Sequence, residues 1–210
     1  MDLFAITPAD AVFEYLKKGG FFIYPLIFCS FAGLAAIGFK AMSLTRARIV
    51  PQSLAKNMES AKSVSPEQLT NQLERGGSTL ARLGLIAAKN HGKTEPEITR
   101  AVEAAAREEI VRMHSGIGVL DVVITVAPLL GLLGTASGLV VIFQGLGETT
   151  DHLAIALGIA QALNTTIFGL AIAVPAVIAH SYFSRRIESL TARMEAVLAG
   201  FVAICAKPQK

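Results

Sequence analysis

Four uncharged polar side chains interrupt an otherwise apolar stretch in the second half of the chain. Gln161, Asn164, Thr165 and Thr166 lie within residues 153–179, which contain no Asp, Glu, Lys, Arg or His. A threonine hydroxyl can bond a carbonyl one turn earlier in its own helix, whereas an amide has no equally complete way to satisfy itself there. In an apolar setting, such groups either join helices by hydrogen bonds or line a hydrated path.

Composition and hydropathy place these groups in a membrane. Only 17% of the residues are charged and 52% are hydrophobic, whereas soluble domains carry about 25% charged residues. Residues 19–39, 122–147 and 153–179 lack charged side chains and histidine, and each reaches the length of about 20 residues that crosses the hydrocarbon core. The first stretch is longer than a signal-peptide core and has no clear A-x-A site before Lys40. We predict an all-α integral membrane protein with three transmembrane helices.

The distribution of basic residues predicts the orientation. Most lysines and arginines lie between Lys40 and Arg112 or after Tyr182, and none lies between Glu148 and His152. The positive-inside rule therefore makes the long central segment and the C-terminus cytoplasmic and places the N-terminus outside. The predicted segments are an extracytoplasmic amphipathic helix at 1–18, transmembrane helices at 19–43, 121–147 and 153–183, a cytoplasmic helical segment at 44–120, an outer turn at 148–152 and a cytoplasmic tail at 184–210. A frayed terminus is the alternative for 1–18.

Outside the membrane, helix-start and helix-stop signals predict helices near 66–75, 78–90 and from 96 onward. The last helix meets no proline before Pro128, so we expect it to continue into the second span. The third span should also extend, because apolar residues after it follow a heptad seam. The seam comprises Leu190, Met194, Val197, Phe201 and Ile204. Spans two and three thus extend into a cytoplasmic helical bundle, and the seam covers either the chain's own helices or a second copy.

Small residues form rows on the second and third spans, where they let helix backbones approach closely in lipid. The predicted packing residues are Gly131, Gly134 and Gly138 on span two and Gly169 on span three. The midpoint of 122–147 falls next to Thr135, and the midpoint of 153–179 is Thr166. Two hydroxyls are therefore expected near the bilayer centre.

The three charge-free stretches contain no carboxylate, and Asp121 lies at the cytoplasmic edge of the second one. A proton or sodium route normally needs a group that binds and releases the ion. Either the protein moves no ions or a partner chain supplies the acid. Enzyme signatures are also missing: there is no P-loop, GxSxG or HExxH, and the four histidines are scattered. Cys29 and Cys205 are predicted in different environments, which argues against a disulfide. We expect no enzyme activity, no cofactor, no metal site and no nucleic-acid partner.

Two motifs carry a family resemblance. APLLGLLGTASGLVVIF (127–143) and GIAQALNTTIFGLAIAVPAVIAHSYFSRRIE (158–188) resemble the paired core motifs of the MotA/TolQ/ExbB proton-channel family, in its ExbB/TolQ branch. The resemblance implies a ring, typically a pentamer, in the bacterial inner membrane around the helices of an ExbD/TolR-like single-span protein whose membrane Asp binds the proton. It also implies a TonB/TolA-like energy transducer as a further partner.

By this resemblance Thr135 and Thr166 match the family's pore-lining pair, while Gln161 stands where several ExbB and TolQ sequences have Glu. The leading hypothesis is an ion-conducting motor subunit that powers transport or envelope work. In it Thr135 and Thr166 line the path, and Gln161, Asn164 and Thr165 face the path or pack. The alternative is a non-conducting structural scaffold whose small and polar faces serve only packing. A solute transporter is weaker, because the spans show no internal repeat.

Overall fold

The computed structural model describes residues 21–60, 66–145 and 152–206. Within these ranges the chain forms α-helices and the turns between them. The helices are α1 Ile23–Ser43, α2 Arg46–Ile49, α3 Gln52–Glu59, α4 Pro66–Arg75, α5 Thr79–Lys89, α6 Glu95–His114, α7 Ile117–Gly145 and α8 His152–Cys205. The helix predicted at 1–18 and the outer turn before residue 152 lie outside the described residues.

Three of these helices, α1, α7 and α8, are long and apolar enough to cross a membrane. Two thirds or more of each apolar window remains unburied within the chain. The prediction of an all-α membrane protein with three transmembrane helices is therefore confirmed.

The first of two compact units contains the described residues of 1–37 and 118–180. It exposes large apolar side chains, such as Phe28 and Leu132, and buries small ones, such as Ala127 and Ala162. A water-soluble core has the opposite arrangement, because hydrophobic burial there favours large side chains. In lipid the large side chains can face the acyl chains while small residues allow close contact between helices.

The second unit contains the described residues of 38–117 and 181–210. It has an ordinary apolar core, in which Met58, Leu73, Leu80, Ile98 and Met194 are almost completely buried. Helices α4 and α5 begin and end close to the predicted positions, and α6 begins close to its predicted start. Helices α2 and α3 were not predicted, although α3 follows a proline and presents Leu54, Ala55 and Met58 on its buried side.

The heptad seam of α8 is covered by the chain itself. Leu190, Met194, Val197 and Phe201 are each at least 96% buried, and Ile204 is half-buried. The turn after α5 also holds the end of this helix, because the Gly92 amide donates to the Cys205 carbonyl at 3.1 Å. The seam therefore packs against the chain's own helices, which was one of the two predicted alternatives.

The predicted continuity between the third cytoplasmic helix and the second span is wrong. Helix α6 ends at His114 and α7 begins at Ile117, while α8 runs unbroken from His152 to Cys205. Gly116 has φ +83°, a left-handed conformation that glycine adopts without the steric cost of a Cβ. The sequence signal was present, because a glycine before an apolar run also marks a helix end.

Lys40 satisfies the end of α6 at this break. Its side chain is almost completely buried, and its ammonium donates a hydrogen bond to the Met113 carbonyl at 2.8 Å. The last carbonyls of a helix lack amide partners and carry the negative end of the helix dipole. A Cβ on Gly116 would lie 3.5 Å from Lys40 Cε, an ordinary van der Waals distance, so the positive φ and not the lysine stem favours glycine here.

Candidate functional site

Helices α7 and α8 approach each other along their small-residue faces. A Cβ on Gly169 would lie 2.5 Å from the Ala127 carbonyl oxygen, and one on Gly131 would lie 2.9 Å from the Thr165 carbonyl oxygen. Real side chains do not reach such distances to backbone, so these positions accept only glycine at this separation. The two glycines bring the backbones close enough for side chains on one helix to reach carbonyls on the other.

Gly134 and Gly138 extend this contact. A Cβ on Gly134 would lie 2.6 Å from the Thr165 methyl carbon, and one on Gly138 would lie 2.8 Å from the Ala162 Cβ. Thr165 is 2% exposed and donates its hydroxyl to the Ala162 carbonyl, three residues earlier, at 2.9 Å. In this chain Thr165 therefore packs between the helices and is satisfied within its own helix.

Thr135 and Thr166 meet across the interface. Their hydroxyl oxygens lie 2.5 Å apart, and either can be the donor. The Thr135 hydroxyl also lies 3.0 Å from the Ala162 carbonyl oxygen, and the Thr166 hydroxyl lies 3.1 Å from the Gly131 carbonyl oxygen. The two threonines therefore form one hydrogen-bonded group that joins the middle of α7 to α8.

The hydrogen bonds of this pair are reciprocal. Gly131 precedes Thr135 by four residues, and Ala162 precedes Thr166 by four, so each hydroxyl reaches the carbonyl one turn before the other threonine. Thr135 can also bond Gly131 in its own helix, at 3.2 Å. Each hydroxyl has one proton and two acceptor lone pairs. Once both protons are donated, acceptor capacity remains on the threonine oxygens.

Access to the pair is one-sided in the single chain. Thr135 is 8% exposed, whereas Thr166 is half-buried. On α8, Asn164 is also half-buried, and Gln161 is exposed. Neither residue is without an interaction partner. A group approaching from outside the chain would therefore meet Thr166 before Thr135.

A second polar contact lies farther along the same two helices. His180 Nε2 and Asp121 Oδ1 are 2.9 Å apart. Asp121 lies fourteen residues before Thr135 and His180 lies fourteen after Thr166, which is about four helical turns in each helix. Sequence reasoning placed Asp121 at the membrane edge but did not pair it with His180, because only the antiparallel packing of α7 and α8 brings them together.

The described residues contain no group of three His, Cys, Asp or Glu side chains placed to hold a metal ion. Both cysteines are free and buried. Between α7 and α8, the threonine group can donate and accept hydrogen bonds, but hydroxyls do not titrate near neutral pH. The interface can therefore exchange hydrogen bonds with a further polar group, and the described residues of its two apolar stretches include no side chain that titrates near neutral pH.

The chain also matches a known protein family. The MotA/TolQ/ExbB proton channel family matches residues 35–196, which is more than half of the chain. That range contains both threonines, the four packing glycines and the His180–Asp121 pair.

Individual relatives come from the same family. A putative biopolymer transport protein ExbB homolog of Methanothermobacter thermautotrophicus is 29% identical over 188 residues, which cover 89% of this chain and 67% of the relative. Biopolymer transport protein exbB1 of Vibrio cholerae is 27% identical, over 90% of this chain and 86% of the relative. The Tol-Pal system protein TolQ of Pseudomonas aeruginosa is 37% identical, over 46% of this chain and 42% of its own.

Proposed function

The chain belongs to the MotA/TolQ/ExbB proton channel family, and we propose that it is a ring-forming subunit of an inner-membrane motor driven by the proton motive force. Relatives named for biopolymer transport and for the Tol-Pal system support this role. In the proposal several copies, typically five, surround the single helices of an ExbD/TolR-like partner whose membrane Asp carries the proton. A TonB/TolA-like transducer passes the work to its load, and the chain itself performs no covalent catalysis.

The observation that carries this proposal is the Thr135–Thr166 pair. Two hydroxyls occupy the middle of two adjacent spans, and those spans contain no titratable side chain in their apolar stretches. A partner carboxyl that enters the membrane needs polar contacts there, because a buried polar group without a hydrogen bond costs several kcal/mol. The threonine pair supplies such contacts at the predicted depth.

The pair suits both protonation states of a carboxyl group. A protonated Asp can donate its hydroxyl proton to a threonine oxygen, which keeps a free lone pair. A deprotonated Asp needs hydrogen-bond donors. The Thr166 hydroxyl can rotate away from the Gly131 carbonyl and donate to the Asp, because that carbonyl lies in a helix and can still accept a backbone hydrogen bond. The hydroxyl alone does not compensate a charge, so the charged state also needs water or a countercharge.

Gln161 limits the role of this chain in proton transfer. An amide donates and accepts hydrogen bonds but does not titrate. The family resemblance implies a Glu at the position of Gln161 in several ExbB and TolQ sequences, and with Gln161 in this chain we propose that the partner Asp alone carries the proton through the middle of the membrane. Gln161 and Asn164 then contribute polar contacts to the path or to a neighbouring copy, and Thr165 packs against Gly134.

A non-conducting scaffold is the second candidate, and one observation favours it. Thr135 and Thr166 have acceptors within the chain, so the pair needs no external ligand. Interhelical hydrogen bonds of this kind stabilise membrane proteins by about 0.6 kcal/mol each. In this function the threonines hold α7 to α8, and the assembled ring passes no protons.

Proton flux separates the two functions. The chain is co-purified with its ExbD/TolR-like partner, reconstituted in liposomes and assayed with an internal pH-sensitive dye under a potassium diffusion potential. We expect the Thr166→Val variant to retain the complex and to reduce proton flux at least tenfold, because the valine methyl group cannot form a hydrogen bond with the partner's Asp carboxyl group. Thr166→Ser should retain flux.

Thr125 provides the matched control. It lies on α7, and its hydroxyl donates to the Asp121 carbonyl of its own helix at 2.9 Å. Thr125→Val should leave both assembly and flux unchanged. Wild-type flux in an assembled Thr166→Val complex would refute the ion-path role, and absence of flux in the wild-type complex would favour the scaffold.

A further inference from the structure

A basic cavity lies directly after the first transmembrane helix. It encloses about 320 Å³, and its lining includes the polar and charged side chains of Ser43, Arg48, Arg82, Glu109 and Arg112. All of them belong to the second compact unit. With three arginines and one glutamate, the lining has a formal charge of +2 at neutral pH. Neither the family assignment nor the proton path explains why arginines converge at this point.

The glutamate does not cancel the attraction for an anion. Glu109 is buried and lies 2.6 Å from Arg82 Nη2 and 3.6 Å from Arg112 Nη1, and it also accepts from the Thr79 hydroxyl. A guanidinium has five N–H donors in a planar fork, so each arginine keeps donors beyond those used here. Glu109 thus holds the Arg82 guanidinium, while Arg112 lies closer to Glu108, at 3.0 Å, and 48% of the Arg82 side chain and 61% of the Arg112 side chain remain exposed.

Arg48 is the least occupied of the three arginines. Its side chain is exposed, and within the described part of the chain it forms no ion pair. It also borders a second cavity of about 680 Å³, which adds the polar side chains of Asn57 and Gln72 and the charge of Arg75. Because Arg48 is exposed and lines both cavities, it can bind an anion without breaking an ion pair to another described residue.

Helix α5 adds favourable backbone electrostatics. Its first residue, Thr79, lines the basic cavity, and its first turn contains no acidic side chain. The positive end of the helix dipole therefore lies at the same cavity as the arginines. Phosphate groups are the anions that such a combination of helix N-terminus and arginine fork binds best.

An apolar surface adjoins the cavity on the membrane side. Phe39 and Met42, in the last turns of α1, are 64% and 75% exposed. Phe39 precedes Ser43 by four residues, so it lies one turn away on the same helix face. A ligand with its phosphate at the arginines could place an apolar chain along this face, which a free phosphate ion would not use.

From this geometry we propose that the cavity bounded by Ser43, Arg48, Arg82 and Arg112 binds the phosphodiester group of an anionic phospholipid. The lipid's acyl chains lie along the exposed end of α1, and its headgroup extends toward Asn57 and Gln72. Basic pockets at the cytoplasmic end of transmembrane helices bind anionic headgroups in this way. The site does not require proton conduction, so it can be tested even if the motor role fails.

The test uses the full-length chain, purified in detergent and stripped of lipid. Retained lipid is counted by native mass spectrometry with phosphatidylglycerol, with phosphatidylcholine and with inorganic phosphate. We expect phosphatidylglycerol to bind and to raise the thermal midpoint, and the other two probes to have little effect. Arg48→Gln should weaken phosphatidylglycerol binding about fivefold, the effect of one arginine near an anionic lipid.

Arg185 is the matched control, because it is exposed on α8 shortly after the third span and lies outside the cavity. Arg185→Gln should retain wild-type binding. An equal loss in both variants would indicate general surface charge and overturn the site. Equal binding of phosphatidylcholine, or equal stabilisation by inorganic phosphate, would overturn the assignment to an anionic lipid.

Discussion

The hydroxyl of Thr135 contacts the hydroxyl of Thr166 across 31 residues of sequence, and each hydroxyl reaches the carbonyl one helical turn before the other threonine. This reciprocal contact requires two antiparallel helices whose backbones nearly touch. Gly131 and Gly169 permit that approach. The proposed ion path and the helix packing therefore share one set of residues, and variants must separate loss of a hydrogen bond from loss of the interface.

The first prediction concerns coupling between the two threonines. In a double-mutant cycle with Thr135→Val and Thr166→Val, we expect a coupling free energy of about 0.6 kcal/mol, and at most about 1.7 kcal/mol. Unfolding can be followed with a thiol-reactive dye, because both cysteines are buried and become reactive on unfolding. A cycle between Thr125 and Thr166 should be additive. Additivity between Thr135 and Thr166 would contradict the paired geometry.

The second prediction concerns close packing at Gly169. Gly169→Ala places a methyl group against the Ala127 carbonyl, so the helices must separate at a cost of about 1–3 kcal/mol. Gly118→Ala is the control on α7, because a methyl group there meets nothing within 4 Å. It should be neutral or stabilise the chain by up to about 1 kcal/mol through helix propensity. If both variants unfold at the same midpoint, the close contact is wrong.

The third prediction concerns the buried lysine that caps α6. Lys40→Glu replaces a donor to the Met113 carbonyl with a buried carboxylate at the negative end of a helix. We expect a loss of at least about 3 kcal/mol, measured as failure to purify a folded chain or as a large fall in thermal midpoint. Lys89 also lies in the last turn of a helix but is exposed. Lys89→Glu should therefore cost about 1 kcal/mol or less.

The fourth prediction concerns acid stability at the start of α6. The Thr94 hydroxyl donates to Glu97, and this bond, with one from the Thr94 amide, holds the pKa of the Glu97 carboxyl below its ordinary value. The folded state therefore prefers the ionised form. The stabilisation is complete above the ordinary pKa of glutamate and is lost as pH falls through the lower folded pKa.

Thermal unfolding followed by circular dichroism at several pH values tests this assignment. Glu97→Gln should lower the midpoint at pH 7, and its difference from the wild type should vanish at acid pH. Glu95→Gln, in the same helical turn, leaves both Thr94 bonds to Glu97 in place, so it is the control and should lower the midpoint at pH 7 by less. A Glu97→Gln difference that persists unchanged in acid would show that the carboxylate is not the stabilising form.

Sequence patterns located six of the eight described helices and missed two. The charge-free stretches identified α1, α7 and α8, because the length of an apolar run is a direct consequence of bilayer thickness. Capping and glycine signals identified α4, α5 and α6. The short helices α2 and α3 were missed, since their helical state depends on packing of a few residues such as Met58. The break at Gly116 was not predicted, because a single glycine is also tolerated inside a continuous helix and only the fold shows its positive φ.

The sequence alone determined that three helices are long and apolar enough to cross a membrane and that the stretches 122–147 and 153–179 contain no titratable side chain, and it predicts Thr135 and Thr166 near mid-span. These properties follow from composition and distance along a helix. Only tertiary structure decided which groups meet: the threonine pair, His180 with Asp121, Lys40 with the end of α6, and three arginines around one cavity. Such contacts join residues far apart in sequence, and they depend on how closely the backbones pack, which helical periodicity does not specify.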